Sequence, residues 1–492
     1  MSTSLYNNRL PTTFLLLAGS ILIILTFIRF GIGELGWVVF APMLVFIHEC
    51  SKTKQKFTLF ITLVIAYILA VSKMVTSEIP WAPAPMYAIP IAIEVFVSMY
   101  VAGVAHHRLG ARWGAYTFAS VLTVMGWIQY SFTPGATWGI LAHTQQDNLP
   151  LVQLAALTGV GGITFLVALG SGLAAAAWSS GIKAVRKDII AFGLILLCSL
   201  LYGQFRLSST APGKMIRVGG VISPVTHTDF RSAYENADTL RRLDNELFAR
   251  TEKAAELGAK VIVWNEVATV VTAPGEEVLV SRARELAMKK NILLCMAYGV
   301  VVSTHPFYYA NKYRIYLPDG TMADEYVKRH PVPVDPHDAG HAHARVISFD
   351  GINFSGGICY DYSFPEIAYD NANDGAEFAL IPSSDWRGID PQHALMARMN
   401  TVAAGLPMIR PVRASTSIAC DQYGRILGSL PWQGTGDGVF VVAMRGARVP
   451  TLYTKTGEVI PLLALAFTIL VLVLILRQPR KVASSSYPIN YI

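Results

Sequence analysis

The sequence predicts a multi-span α-helical membrane protein with an inserted α/β domain. Three observations predict it. Of the 492 residues, 53% are hydrophobic and only 15% are charged, against about 25% charged in a soluble globular protein. The apolar excess is concentrated before Arg206 and again between Val459 and Leu476. Between those regions, short apolar runs alternate with amphipathic, charged ones.

A spanning helix needs about 20 mostly apolar residues. Eight stretches qualify: Thr13–Phe30, Leu35–His48, Phe57–Ser72, Tyr87–Ala105, Gly114–Tyr130, Leu151–Trp178, Ile189–Phe205 and Val459–Leu476. The second is short and contains Pro42. The sixth is long enough to break, and Gly159, Gly161 and Gly162 mark where. The first lacks a small-residue cleavage site and more spans follow, so it is expected to be a retained helix rather than a signal peptide.

Orientation follows from lysine and arginine in the short loops. Arg9, then Lys52, Lys54 and Lys56, then Arg108 and Arg112, then Lys183, Arg186 and Lys187, and finally Arg477, Arg480 and Lys481 fall on one side. The opposite loops hold little beyond Arg29 and Lys73. Both termini are therefore expected in the cytoplasm. The division is 1–205 for seven helices, 206–458 for an extracytoplasmic domain, 459–476 for an eighth helix and 477–492 for a cytoplasmic tail. The formal charge of +7 is a matter of topology rather than of nucleic acid. Glu94 is the main acid inside a span, and a helix-packing or interfacial role is expected for it.

The insert is about 250 residues, enough for one core. Strands are expected over Ile216–Ile222, Val261–Trp264, Ile292–Val302, Ile352–Cys359 and Phe378–Pro382, and helices over Phe230–Leu257, Glu276–Lys289 and Gln392–Ala404. Asp319-Gly320 between Tyr313–Leu317 and Met322–Val327 is a hairpin signal. No phosphate-binding loop or zinc-protease motif is present. The five cysteines, Cys50, Cys198, Cys295, Cys359 and Cys420, show no spacing of a disulfide framework or zinc site. Cys50 and Cys198 are expected to be small buried hydrophobes, and Cys295 and Cys420 core residues of strands.

Three places could carry chemistry. Glu266 follows a buried strand directly, where α/β folds collect functional groups; alone it could be a loop acid. Lys328 ends a strand and enters a proline-rich turn; alone it is a solvated lysine. Cys359 ends the run Ser355-Gly356-Gly357-Ile358-Cys359 before a helix. It resembles a nucleophile elbow in which backbone N–H groups can face an oxyanion, or it is a buried apolar thiol. Phe307, Tyr308 and Tyr309 could dip into lipid or belong to a strand, and the strand is favoured.

In order and context, Glu266, Lys328 and Cys359 resemble the Glu–Lys–Cys signature of the nitrilase superfamily. The topology, together with Gly139–Pro150, Leu154–Phe165, Gln392–Met399 and Arg410, resembles the apolipoprotein N-acyltransferase family of Gram-negative bacteria over nearly the whole chain. The resemblance implies an α-β-β-α sandwich in the insert. This sequence departs from the family pattern at Asn265, at Asp361 and at Asp335-Pro336, so that the second glutamate supporting the lysine is missing at its register and Asp335 stands one residue early.

The resemblance further implies a two-step acyl transfer. Cys359 takes an acyl chain from a phospholipid as a thioester, and the N-terminal amine of a lipid-modified lipoprotein removes it as an amide. Glu266 would be the base, Lys328 a fixed cation beside the tetrahedral intermediate, and Tyr360 and Asp361 substrate-positioning residues. No metal and no diffusible cofactor is needed. The expected partners are a phospholipid donor and a lipoprotein acceptor, and the enzyme is expected to work as a monomer in the bacterial inner membrane with its domain facing the periplasm. The alternative is a membrane-anchored amidase that passes the acyl group to water.

Overall fold

In the computed structural model, residues 11–50, 52–77, 84–224, 236–333, 335, 337–432 and 438–478 are described. The start of the predicted Phe230–Leu257 helix, Arg9, Val334, Pro336, Arg480, Lys481 and most of the 477–492 tail lie outside them.

The amino-terminal part is a helix bundle: α1 (Thr12–Thr26), α2 (Ala41–Glu49), α3 (Thr53–Val71), α4 (Ala84–Leu109), α5 (Ala111–Phe132), α6 (Leu149–Val152), α7 (Ala155–Ser180) and α8 (Ile182–Ser208). Among the described residues, Thr53–Met74, Pro85–Leu109, Ala155–Ser180 and Val459–Arg477 are long and apolar enough to cross a membrane. Two of these differ in role. The apolar window of α7 is 78% buried, and its glycines and alanines let neighbours close in: a Cβ on Gly172 would lie 2.9 Å from the Ala115 carbonyl. The last helix is only 17% buried and presents leucine and isoleucine outward.

Two predicted spans are broken. Leu35–His48 is a 3-10 turn at Gly33–Trp37 followed by the nine-residue α2, with Pro42 in the first turn, where its missing N–H costs nothing. Leu151–Trp178 is α6, a short link and α7, and inside α7 Gly159 takes φ 61° and ψ −170°, a region open to glycine. Gly161 and Gly162 stay helical. Cys50 is buried as expected, but Cys198 is exposed on the outer face of α8, so a burial argument does not apply to it.

Among the described residues the insert holds two large sheets and a two-stranded one. Strands β1 (Lys214–Val221), β2 (Val261–Trp264), β3 (Val270–Thr272), β4 (Leu293–Thr304), β5 (Phe307–Tyr316), β6 (Met322–Val327), β7 (Ile347–Phe349), β8 (Ile352–Gly356), β9 (Phe378–Leu380), β10 (Ser383–Ser384), β11 (Met408–Arg410), β12 (Val412–Arg413), β13 (Ser417–Cys420), β14 (Ile426–Leu430) and β15 (Val439–Gly446) alternate with α9 (Ala237–Glu256), α10 (Ala273–Lys290), α11 (Pro365–Asn373) and α12 (Gln392–Ala404); α13 (Tyr453–Thr456) and the outer helix α14 (Val459–Arg477) close the chain.

The first sheet runs β15-β1-β2-β4-β5-β6, with β3 on β4, the second β14-β13-β11-β9-β8-β7, and in the small one β10 pairs with β12. Pairs joined through a helix, β1–β2, β2–β4, β8–β9 and β9–β11, are parallel, because only a crossover returns the chain in the same direction. The Asp319-Gly320 turn joins β5 and β6 antiparallel, with Gly320 at φ 82°. Phe307, Tyr308 and Tyr309 lie on β5, half-buried.

Val218, Val263, Cys295, Phe354 and Phe378 fill the space between the sheets. On the outer side of the first sheet, Phe248 and Leu279 of α9 and α10 cover Trp264 and Tyr298. The outer side of the second sheet is different. Its helices join one apolar cluster with the amino-terminal helix bundle, and all 13 residues of α12 are buried. A helix on the surface of a sandwich keeps a polar face in water; α12 keeps none, because α7 and its loops cover that face. Cys420 is buried on β13.

Candidate active site

Four buried residues of β2 end at Asn265-Glu266 on the carboxyl edge of the first sheet. Asn265 fixes this exit: Oδ1 accepts from Ser223 N at 2.7 Å and Nδ2 donates to the Glu266 carbonyl at 2.9 Å. The Glu266 carboxylate is 4% exposed, and its Oε1 accepts from Asn311 Nδ2 at 2.7 Å and from Lys328 Nζ at 2.8 Å.

Lys328 follows β6 and is 1% exposed. Its N–H donates to Asn311 O and its carbonyl accepts from Gly340 N, so the chain is tied on both sides of the side chain. The ammonium also lies 3.5 Å from Asp335 Oδ2. Burial alone would lower the lysine, but Glu266 and Asp335 outweigh it and hold Lys328 well above its usual range. Asp335 thus gives the lysine a second carboxylate beside Glu266.

β8 passes the neighbouring strand so closely that a Cβ on Gly356 would lie 2.0 Å from the Leu380 carbonyl. Three residues after that approach the chain turns. Cys359 opens a 3-10 turn, Cys359–Ser363, with φ 51°, a left-handed conformation costly for a residue with a Cβ. Its N–H donates to Pro382 O at 2.9 Å, and the sulfur, 2% exposed, lies 3.4 Å from Ser384 O and 3.7 Å from Asp385 Oδ1. Burial pushes the thiol up, Glu266 and Asp385 add to this, and Lys328 and Arg410 oppose it, so the resting group is the neutral thiol. Glu266, Lys328 and Cys359 thus come together in one buried site. Cys295 and Cys420 stay in the sheets.

Asp361, expected to position substrate, bonds protein groups. It has no exposed surface and accepts from Tyr326 Oη at 2.8 Å, Ile358 N at 2.8 Å and His330 N at 2.8 Å, with His330 Nδ1 at 3.1 Å. It clamps the Cys359–Ser363 turn to the end of β6. Tyr360 donates to Pro134 O at 2.7 Å and hydrogen-bonds Tyr87, which joins the turn to the membrane bundle.

Asp385, His393, Arg410 and Asn311 had no assigned role in the sequence. Asp385 is buried between Arg410, which donates to both carboxylate oxygens at 3.1 Å, and His393 Nδ1, 2.7 Å from Oδ1. The other ring nitrogen of His393 is 2.9 Å from Ser363 Oγ. Cys359, Asp385 and His393 bring potential ligand atoms within 4.8 Å of one another. A cation there would meet Arg410, whose Nη2 is 2.9 Å from the same His393 Nδ1, so the group is an ion-paired network. Asp385 follows the apolar run Phe378–Pro382 much as Glu266 follows Val261–Trp264; that parallel was the available signal.

Residues 19–173 match the family model described as the apolipoprotein N-acyltransferase N-terminal domain, and residues 230–449 match that of carbon-nitrogen hydrolase. Proteins named apolipoprotein N-acyltransferase are similar over most of the chain. That of Geobacter metallireducens is 25% identical over 461 residues, 84% of this chain and 85% of its own. That of Bradyrhizobium diazoefficiens is 25% identical over 394 residues, 72% of each. Among solved structures, an amidase from Nesterenkonia sp. aligns at a TM-score of 0.40 and 19% identity, over 51% of this chain and 97% of that one.

Proposed function

Because the chain belongs to the apolipoprotein N-acyltransferase family within the nitrilase, or carbon-nitrogen hydrolase, superfamily, we propose that it moves an acyl chain from a phospholipid to the N-terminal amine of a diacylglyceryl-modified lipoprotein, with Cys359, Glu266 and Lys328 as catalytic residues. Cys359 sulfur bonds to the ester carbonyl carbon while Glu266 takes the thiol proton. Lys328 faces the oxyanion as it forms. The carbon–oxygen bond breaks, and Glu266 returns the proton to the departing lysophospholipid. The amine then bonds to the thioester carbon, its proton passes through Glu266 to the sulfur, and the carbon–sulfur bond breaks.

One observation carries this proposal: the nucleophile turn is roofed by the membrane bundle. Tyr360 donates to Pro134 O, and Ser363 O accepts from Thr137 N and Oγ1 at 3.2 and 2.9 Å. A thiol at that seam suits a donor that arrives from lipid.

We further propose eight crossings, both termini cytoplasmic, and residues 206–458 on the periplasmic side of the inner membrane. The 3-10 turn and α2 contribute ~10 Å and ~14 Å, and with their link reach near the ~30 Å of a hydrocarbon core. Broken backbone at that depth is tolerable where protein surrounds it, and Ala41–His48 are all buried. Loops expected on the cytoplasmic side meet one another, through Arg112 Nε and Asp188 Oδ1 at 2.8 Å and His48 Nδ1 and Ser179 Oγ at 3.1 Å.

The test is the intermediate. With phospholipid alone, the protein should accumulate an acyl group that neutral hydroxylamine releases. Cys359→Ala should abolish labelling, while Cys295→Ala and Cys420→Ala should not. Glu266→Gln should slow labelling by about 10²–10⁴. A diacylated lipopeptide should discharge the label as an amide, read by mass spectrometry. Labelling that survives in Cys359→Ala, or discharge only to water, would refute the proposal.

A further inference from the structure

A buried arginine–aspartate pair is a poor way to gain stability, since desolvation offsets most of the attraction. Asp385–Arg410 nevertheless sits with both partners essentially without exposed surface, beside the sulfur of Cys359. The groups facing that sulfur come from several elements: Glu266 after β2, Lys328 after β6, Asp385 after β10, Arg410 on β11 and Arg413 on β12. Among the described residues, Glu266 places its recorded bonds on Asn311 and Lys328, whereas Asp385 Oδ1 lies within sulfur hydrogen-bond range at 3.7 Å, next to the Ser384 carbonyl at 3.4 Å.

We propose that Asp385 is a positioning residue for the nucleophile: its carboxylate, clamped by Arg410 and His393, receives the Cys359 thiol hydrogen and fixes the direction of the sulfur before the acyl donor arrives. This rests on Cys359 being the nucleophile.

The clamp explains why Asp385 orients the hydrogen and does not remove it. Burial would raise its carboxyl, but Arg410 and His393 outweigh this and hold it well below the usual carboxylate range. His393 is lowered by burial and stays neutral, so its Nδ1–H can donate to Asp385 while Nε2 accepts from Ser363 Oγ. Ser363 belongs to the same 3-10 turn as Cys359, so the network closes on the turn it serves. A fixed anion near the sulfur also keeps the resting thiol protonated, and the thiolate is the form that oxidants and alkylating agents attack.

The experiment uses the full chain in detergent or nanodiscs. Alkylation of Cys359 by iodoacetamide is followed against pH by peptide mass spectrometry, and thioester formation is followed in single turnovers at varied phospholipid. Asp385→Asn should move the alkylation midpoint down by about one pH unit or more, because a like charge near the thiolate is gone while Arg410 remains. It should also lower the saturating rate of thioester formation about tenfold or more with little change in half-saturation. If the unpaired arginine prevents folding, Asp385→Asn with Arg410→Met removes both charges and is read by the same rate. In the wild type, the S–H stretching band that vanishes in Cys359→Ala should lie at the hydrogen-bonded, low-frequency end. A band at the free-thiol position, or folded variants with wild-type alkylation and rate, overturns the inference while leaving the nucleophile intact. Absence of any acyl group on wild-type Cys359 overturns both.

Discussion

Lys328→Ala should be costly to the fold and to the chemistry for one reason, the loss of a buried cation between two carboxylates. Its Nζ is 2.8 Å from Glu266 Oε1 and 3.5 Å from Asp335 Oδ2. At an effective dielectric of about 20 those separations correspond to gross attractions of about 6 and 5 kcal/mol. Desolvation of the ammonium offsets much of this, and removing one partner of a buried pair typically costs about 3–5 kcal/mol. The penalty should depend on pH. Burial would raise Asp335, but Lys328 and His337 hold it below the usual carboxylate range, so in the wild type it adds stability that is present above about pH 4 and lost as pH falls. Without Lys328, burial acts with less opposition, the folded value rises, and the carboxylate loses that contribution or subtracts stability as pH climbs. The gap in thermal unfolding midpoint between wild type and variant should therefore widen from about pH 5 to about pH 8. Thioester formation, measured on the folded fraction, should fall by about 10²–10³, as for loss of one group facing an oxyanion. A variant with an unchanged midpoint at both pH values, or one that forms thioester at the wild-type rate, would refute the placement of this charge.

Asp361→Asn should loosen the nucleophile turn and remove a pH dependence. Burial would lower His330, but its bonds to Asp361 and Glu366 outweigh this and raise it, so its contribution is full below about pH 6.5 and lost as pH rises through the folded value; unfolding midpoints across that window should flatten in the variant, and an unchanged slope would count against the pairing. A reporter active only outside the cytoplasm should work when fused after Gly320 and fail after Lys187, and the opposite result would invert the proposed topology.

Much of the insert was legible in the sequence because its signals are local. Val261–Trp264 and Gln392–Ala404 were bounded to the residue, and the Asp319-Gly320 hairpin followed from turn chemistry. Glu266, Lys328 and Cys359 each end or follow a strand, which leaves each ambiguous alone, and the resemblance to the nitrilase Glu–Lys–Cys signature is what joins them. What surrounds them was not legible. Asp361 beside a cysteine does not disclose its partners in sequence, because Tyr326 and His330 lie 35 and 31 residues away. Asp335 stands one residue off the family register in sequence, and its 3.5 Å approach to Lys328 is a tertiary contact that local pattern does not report. Leu35–His48 satisfied hydropathy while being broken, because composition counts apolar residues without reporting whether protein or lipid meets them.

The buried helix α12 makes the membrane bundle part of the catalytic fold rather than its anchor. Cutting residues 206–458 free would bare α12 residues that are now buried and would strip Arg398 of its bond to Gln146 O, so the fragment should lose stability or self-associate. The same contact links α7 to the turn that carries Cys359 through α12. A change in lipid thickness or lateral pressure that tilts α7 bears on α12, and through His393 and Ser363 on the turn that holds the thiol. Reconstitution into membranes of graded thickness should thus alter the rate of acyl loading even when donor and acceptor are held constant.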